Sequence, residues 1–442
     1  MSAYSESRRQ LVHISMVGFA ALLRYVTWPQ AAMLASSALA FNLFLLPRVA
    51  PGILRPTDAG GHRAGVIFYP LSVLILVLVF RSRLDIVAAA WAVMAFGDGT
   101  ATLAGTWLRG PRLPWNRDKT WSGLVGFVVA GSVGAVAMSL WVAPAIAPVP
   151  SPIITFWAPI AATIAAALVE TIPVKLDDNL SVPFAAGLVL ALASTVSSDA
   201  LAFARPMLAE RLHWALGINV VMAAGAQLAG SITWGAAVSG AVIGIVIYLG
   251  AGLSGWSLLL LSFGCAVISS RLGLNRKIAR GISEGREGRR GPGNAIANCV
   301  VGAIGGWLMI VEPSDIRGAL VLASGLIAGA SDTVASEIGK AFGGRPRAFP
   351  SFLEVQHGTP GGVSMIGTLA GLVAAVVMSL YAGASLPGGG ALVLPIVVGA
   401  TAGAFAESAL AGRFEPEGVL NNDLLNFLNT AIAAGVAVWV AS

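Results

Sequence analysis

The chain has 442 residues, of which 56% are hydrophobic and 11% charged, with a formal charge of +6. A soluble domain carries roughly 25% charged residues, so this composition excludes one, and two cysteines exclude a disulfide framework. The basic excess sits in short stretches between apolar runs, so the expected partner is a lipid bilayer and no nucleic acid.

Met1–Arg9 is polar and leads into Leu11–Leu23, which contains His13 and reads as an ordinary first helix rather than a cleaved signal. Apolar runs follow at Ile67–Phe80, Leu84–Phe96, Ser122–Val142, Ile153–Val169, Leu216–Gly250, Ile316–Ala330, Val363–Ala382 and Ala391–Phe405. A hydrocarbon layer about 30 Å thick takes roughly 20 residues of helix. None of the runs alternates with the period of two that a membrane barrel strand needs. The fold class is therefore an all-α polytopic membrane protein, with about 13–15 transmembrane or re-entrant helices. The runs that precede Asp98 and Asp332 are short for a span and predict broken or re-entrant helices ending at the acid. Basic clusters at Arg81/Arg83, Arg109–Lys119, Arg205–Arg211, Arg271–Arg290 and Lys340–Arg347 predict a cytoplasmic side for the motif loops. The Gly-rich stretch Gly240–Gly255 reads as close helix packing.

The chain repeats itself. Gly97-Asp98-Gly99-Thr100-Ala101 and on to Gly105 lies over Ser331-Asp332-Thr333-Val334-Ala335 and on to Gly339, with Asp98 and Asp332 set 234 residues apart. A basic stretch follows each, then a small polar element: Lys119-Thr120-Trp121-Ser122-Gly123 in the first half, Gly358-Thr359-Pro360-Gly361-Gly362-Val363-Ser364 in the second. Next come Glu170 and Glu407, then Asp177-Asp178-Asn179 and Asn421-Asn422-Asp423. This gives two related halves, 1–215 and 216–442. Two apolar runs separate each aspartate from its glutamate, and two spans return a chain to the side it left. The polar elements of each half are therefore expected to meet on one face of the membrane.

Carboxylates inside or beside apolar segments are expensive unless partnered. Asp98, Glu170, Asp177 and Asp178 in the first half, and Asp332, Glu337, Glu407 and Asp423 in the second, are the hard oxygen ligands that suit Mg²⁺ with substrate phosphates. Lys119 and Thr120, after Arg109, Arg112 and Arg117, read as a phosphate-facing loop. Gly358, Thr359, Gly361 and Gly362 offer backbone donors and a hydroxyl. Asn294 and Asn298 share one helix face behind Arg286, Arg289 and Arg290, an arrangement that suits an anion. An aspartate, Mg²⁺ and a cationic clamp are what phosphoryl transfer requires, and Asp98 and Asp332 are its candidate catalytic residues. His13, His62, His213 and His357 are scattered and read as structural rather than metal-binding. Neither a Walker A motif nor a protein-kinase glycine loop occurs.

The first half resembles the dolichol and phytol kinase family, through Arg8-Arg9 with His13, Gly97-Asp98-Gly99-x-Ala101, Lys119-Thr120, Glu170, and Asp177-Asp178-Asn179 running on to Pro183. The second half resembles a transmembrane family whose plant members convert phytyl phosphate to phytyl diphosphate. Its matching pieces are Asn294 to Asn298, Asp332 to Gly339, Gly358 to Ser364, Glu407-Ser408, and Asn422-Asp423 with Asn426, Asn429 and Thr430. Where the first family continues from Lys-Thr through an acid to Gly-Ser, this chain has Trp121-Ser122-Gly123. Pro360 stands where the second family's pattern has Asn. The resemblance implies a fused enzyme that phosphorylates an isoprenoid alcohol such as phytol or geranylgeraniol, then its monophosphate, with CTP as donor. It adds Asn179, Asn422 and Asn426 to the nucleotide-binding residues. Two other readings fit the same acids: a CTP-dependent cytidylyltransferase forming a CDP-lipid, and a transporter built from two repeats.

Overall fold

A computed structural model of the chain describes residues 6–49, 64–172, 177–230, 232–282, 292–418 and 420–442. It divides into two compact units, Met1–Val196 and Ser197–Ser442. Among the described residues, ten helices are long and apolar enough to cross a membrane.

The first unit contains α1 (Glu6–Ser15), α2 (Trp28–Val49), α3 (Ala64–Val79), α4 (Leu84–Trp107), α5 (Trp121–Val142), α6 (Pro152–Thr171) and α7 (Asp178–Ser194). Its axis is α4. Val87, Ala88, Ala89, Ala90 and Ala92 have no exposed surface, because small side chains let neighbouring helices close around them. Phe127 of α5, Ala162 and Ala166 of α6, and Val182 and Ala186 of α7 belong to the same core.

The second unit contains α8 (Ser198–Leu228), α9 (Trp234–Arg271), α10 (Leu274–Ala279), α11 (Pro292–Val311) and α12 (Ile316–Phe342). A two-residue ribbon follows, β1 (Arg347–Ala348) antiparallel to β2 (Gly362–Val363), then α13 (Met365–Ser385), α14 (Val393–Phe414) and α15 (Asn422–Ala441). Here α12 is the axis, with Leu320, Leu322, Ala323, Ile327 and Ala328 essentially fully buried.

Three sequence expectations need correction. The aspartates do not end broken helices. Asp98 closes a π turn, Val93–Asp98, inside a continuous Leu84–Trp107 span, and Asp332 lies in the unbroken helix α12. Glycines near the acids are packing positions. A Cβ on Gly97 would sit 2.6 Å from the Phe127 ring, and one on Gly329 2.7 Å from Asn298 Oδ1. Second, Arg205–Arg211 is not a loop but the interior of α8, so the units part between Val196 and Ser197, not at 215/216. Third, the true break is in α9, where Gly252 takes φ +62 and ψ −152. Arg211 donates to the carbonyls of Leu249 (3.0 Å) and Gly250 (2.8 Å) there, supplying the donors that the interrupted helix withdraws. The glycines around the break do pack closely as expected: a Cβ on Gly250 would lie 1.9 Å from the Gly306 carbonyl oxygen.

The repeat is visible in how each axial helix meets the next span. Thr120 caps α5, accepting from Gly123 N at 3.1 Å, and Ser364 caps α13, accepting from Gly367 N at 3.2 Å. Gly105 faces the Thr120 hydroxyl and Gly339 faces that of Ser364. Gly123 lies against the Ala101 carbonyl and Gly367 against that of Ala335. Thr120 therefore corresponds to Ser364, the last residue of the second half's polar element. The segment around Thr359 belongs to the longer loop ahead of the cap.

These contacts make an ordered prediction. A Cβ at Gly367 would approach the Ala335 oxygen to 2.5 Å and one at Gly123 the Ala101 oxygen to 3.0 Å, whereas Gly217 has nothing within 4 Å. Gly367→Ala is expected to lower stability by about 1–3 kcal/mol through overpacking. Gly123→Ala should cost less, and Gly217→Ala, unhindered inside a helix, should stabilise by about 0.5–1 kcal/mol, as read from thermal unfolding midpoints of the detergent-solubilised protein.

Candidate phosphate and metal sites

In the first unit, Asp98, Glu170 and Asp178 come together with one carboxylate oxygen from each within 4.8 Å of the others. They arrive from α4, the last turn of α6 and the first turn of α7. Three carboxylates this close repel one another unless cations intervene. Lys119 supplies one positive charge, with Nζ 2.7 Å from Glu170 Oε1 and 3.3 Å from Asp178 Oδ2. Burial alone would pull the pKa of Lys119 down. The Glu170 and Asp178 carboxylates override that and hold it above the ordinary lysine value. Three carboxylates whose oxygens approach this closely form a donor set that a divalent ion of the Mg²⁺ class would fit. His13 stands on the other side, its Nε2 3.7 Å from Asp98 Oδ2 and 3.3 Å from the Met94 carbonyl oxygen.

Asp177 is not part of this group. It caps α7, with Oδ1 accepting from both the backbone N and the Nδ2 of Asn179 at 2.9 Å. The expectation that it holds metal is thereby replaced by a capping role: an acid just ahead of a helix is drawn to the free N–H groups. Asn179 is buried, and its Oδ1 has no hydrogen-bond partner.

Beside the acids opens a cavity lined by Gly105, Arg109, Arg112, Lys119, Thr120 and Glu170, among others. The basic stretch forms a turned-back loop there. Leu113 N donates to Lys119 O (3.0 Å) and Trp121 N to Pro111 O (2.9 Å), so Arg112 and Lys119 are fixed relative to each other. The basic stretch is thus a folded loop beside the cavity. Arg117 is not among the residues that line it.

In the second unit, Asp332 and Glu407 line one cavity with Lys340, Ser364, Asn422 and the segment Gly358–Gly362. Gly358 (φ +86) and Gly361 (φ +73) take left-handed conformations that suit glycine. A Cβ on Gly361 would sit 2.5 Å from the Ser408 carbonyl oxygen, so this loop needs glycine to reach α14. Glu407 Oε2 is buried without a hydrogen-bond partner, an orphaned acceptor that a cation would satisfy.

Glu337 departs from expectation. It lies between two lysines, 2.5 Å from Lys277 Nζ and 3.1 Å from Lys340 Nζ, and that pairing occupies the carboxylate expected to hold metal. Lys277 sits in α10, only 1% exposed, and also donates to the Ser270 carbonyl at 2.6 Å. The sequence reading missed it because it falls in the Arg271–Arg290 run, which reads as a solvated loop. Its neighbours Leu274 and Ile278 were the available signal that this part of the run is helical.

Asp423 lies in the first turn of α15 and Asn426 is buried one turn on; neither lines the Asp332 cavity. Asn294 and Asn298 face a different cavity, described below. Arg286, Arg289, Arg290 and His62 lie outside the described residues.

Two units, each with membrane-depth carboxylates beside a folded loop, define a polytopic membrane protein with paired polar sites. The family described as integral membrane protein DUF92 matches residues 217–434, and the chain belongs to it. Among its relatives, the chloroplastic protein VTE6 of Arabidopsis thaliana is 29% identical over 232 residues, covering 50% of this chain and 65% of that protein. An uncharacterized membrane protein of Synechocystis sp., sll0875, is 30% identical over 208 residues, covering 45% of this chain and 78% of its own. A probable chloroplastic phytol kinase 2 of Glycine max is 33% identical over 132 residues, or 28% of this chain and 44% of that one. The chain thus spans less than two thirds of both plant relatives. No solved structure matches it.

The grouping in the first unit yields a metal test. With Mn²⁺ as a spectroscopic probe, Asp98→Asn and Glu170→Gln should each weaken one site at least about tenfold. Asp177→Ala should leave Mn²⁺ affinity unchanged and instead lower thermal stability by about 1 kcal/mol, the usual value of a lost cap.

Proposed function

We propose that the protein is a membrane isoprenoid kinase working in two steps: the first unit phosphorylates an isoprenoid alcohol, and the second phosphorylates the resulting monophosphate. CTP is the proposed donor and Mg²⁺ the proposed metal. The observation that carries this reading is the pairing, in each unit, of an acid from the axial helix with an acid from a later span, beside a lysine and a folded loop. The phytol kinase relative supports the substrate class.

In the first step the alcohol oxygen forms a bond to the γ-phosphorus, the bridging bond to CDP breaks, and the alcohol loses its proton. Lys119 is paired with Glu170 and Asp178, and Asp98, beside His13 at 3.7 Å, is the proposed carboxylate to take that proton. Arg109 and Arg112 reach the same cavity and would hold the donor's phosphates. Mg²⁺ bound between the carboxylates would neutralise phosphate oxygens and orient them for in-line transfer. In the second step the acceptor is already an anion and needs cationic and backbone donors instead. Lys340 and the Gly358–Gly362 loop line that cavity. Glu337 holds Lys340 there at 3.1 Å.

The experiment is a product analysis with CTP, Mg²⁺ and phytol or geranylgeraniol. Release of CDP with prenyl mono- and diphosphate is expected. Release of pyrophosphate with a CDP-lipid would make the protein a cytidylyltransferase, and no turnover would favour transport. The two steps should also separate by mutation. Asp98→Asn should abolish use of the alcohol by at least about a hundredfold while added monophosphate is still converted, and Asp332→Asn should let the monophosphate accumulate. Loss of both steps from either single change in a folded protein would refute the division.

A further inference from the structure

The second unit contains a cavity that the reading above does not use. It runs between α8, α9, α11 and α12, and its lining is overwhelmingly apolar, with Ala226, Gly240, Ile243 and Leu326 among its walls. Met222, Leu260 and Phe263 also line it and are 43%, 41% and 38% exposed, so it opens sideways through an apolar rim. In a membrane-spanning helix bundle such a rim faces hydrocarbon. A lipid chain has a path in that needs no passage through water.

Its polar groups are few. Asn219 is internally satisfied, donating to the Ala215 carbonyl (2.8 Å) and accepting from the Trp256 indole (3.1 Å). That leaves Asn294 and Asn298 of α11 and Thr333 of α12 as the main polar edge. Asn298 and Thr333 each donate to a backbone carbonyl one turn back, at 2.9 Å, which fixes their side chains.

The placement of that edge identifies the occupant. Gly329, Ala330 and Thr333 of α12 face this cavity, while Asp332, Ser336 and Gly339 face the carboxylate cavity. At about 100° per residue these sets occupy neighbouring arcs of one helix. Asp332 and Thr333 are consecutive residues, so an anionic head at the first cavity adjoins the polar edge of the second. A bilayer phospholipid separates its chains from its phosphate by a glycerol and ester groups, which this short polar edge leaves no room for. A prenyl chain carrying a phosphate has no such linker.

We propose that this cavity holds the prenyl tail of the isoprenoid monophosphate and sets the chain length that the second unit accepts. The assignment rests on the kinase reading of the Asp332 site. Asn294 and Asn298 then contact the first isoprene unit and the bridging oxygen, instead of the nucleotide that the sequence pattern suggested.

Gly240 offers the test, since it lines the cavity and a Cβ there meets nothing within 4 Å. Gly240→Phe starts from a Cβ position with open space and adds bulk at the chamber wall. It should raise KM for geranylgeranyl monophosphate at least tenfold more than KM for geranyl monophosphate. Gly225→Phe, on an exposed position of α8 with equally open space, should shift neither. Equal effects on both substrates, or no effect, would overturn the assignment while the kinase reading stood.

A second measurement does not depend on turnover. Geranylgeranyl monophosphate with a diazirine on its terminal isoprene should label α8 and α9 peptides in the full-length protein. Unlabelled geranylgeranyl monophosphate should compete, and phosphatidylglycerol should not. Labelling elsewhere, or equal competition by phosphatidylglycerol, would overturn the assignment. Labelling with the expected competition but no phosphorylation would retain the chamber and refute the kinase reading.

Discussion

Carboxylates drawn together inside a helix bundle are the constraint around which each unit is organised. Like charges a few ångströms apart in a poorly screened interior raise one another's energy by several kcal/mol. The first unit supplies one ammonium, Lys119, from a loop that folds back on itself to deliver it. The second distributes its cations differently. Two lysines, Lys277 and Lys340, converge on Glu337, while Glu407 lines a cavity with Asp332. The two units thus balance buried charge differently, with one lysine among several acids in the first and two lysines on one acid in the second.

Packing follows from the same demand. For acids from different spans to meet, the axial helices must approach their neighbours closely, and glycine makes that possible. Gly105 and Gly339 sit against the hydroxyls that cap the following spans, and Gly123 and Gly367 sit against carbonyls of the axial helices. The small residues that make the sequence look weakly helical are therefore what bring the sites together.

Much of the organisation was legible in the sequence. The membrane class, the repeat and the grouping of Asp98, Glu170 and Asp178 with Lys119 all follow from apolar runs, spacing and the cost of buried charge. What could not be read has physical reasons. Glycine beside an acid signals both a break and close packing, and only neighbours such as Phe127 decide between them. A capping acid and a ligating acid look alike in Asp177-Asp178, since one residue's register separates them. Lys277 was hidden in a basic run because ion pairs reached across 60 residues leave no local trace. The apolar chamber was invisible altogether, being assembled from four helices that each read as ordinary span.

The continuity of α12 through Asp332 carries one more consequence. A helix interrupted at its acid could adjust the polar and apolar portions separately. An unbroken helix is torsionally stiff over a few turns, so any change that rotates it at Ala330 or Thr333 also re-aims Asp332. Variation that widens or narrows the lipid-facing side is thereby charged to the polar side as well. Descendants of this unit cannot drift in one property alone, and altered lipid preference will arrive with compensating changes on α11 or α13 that restore the helix's original roll.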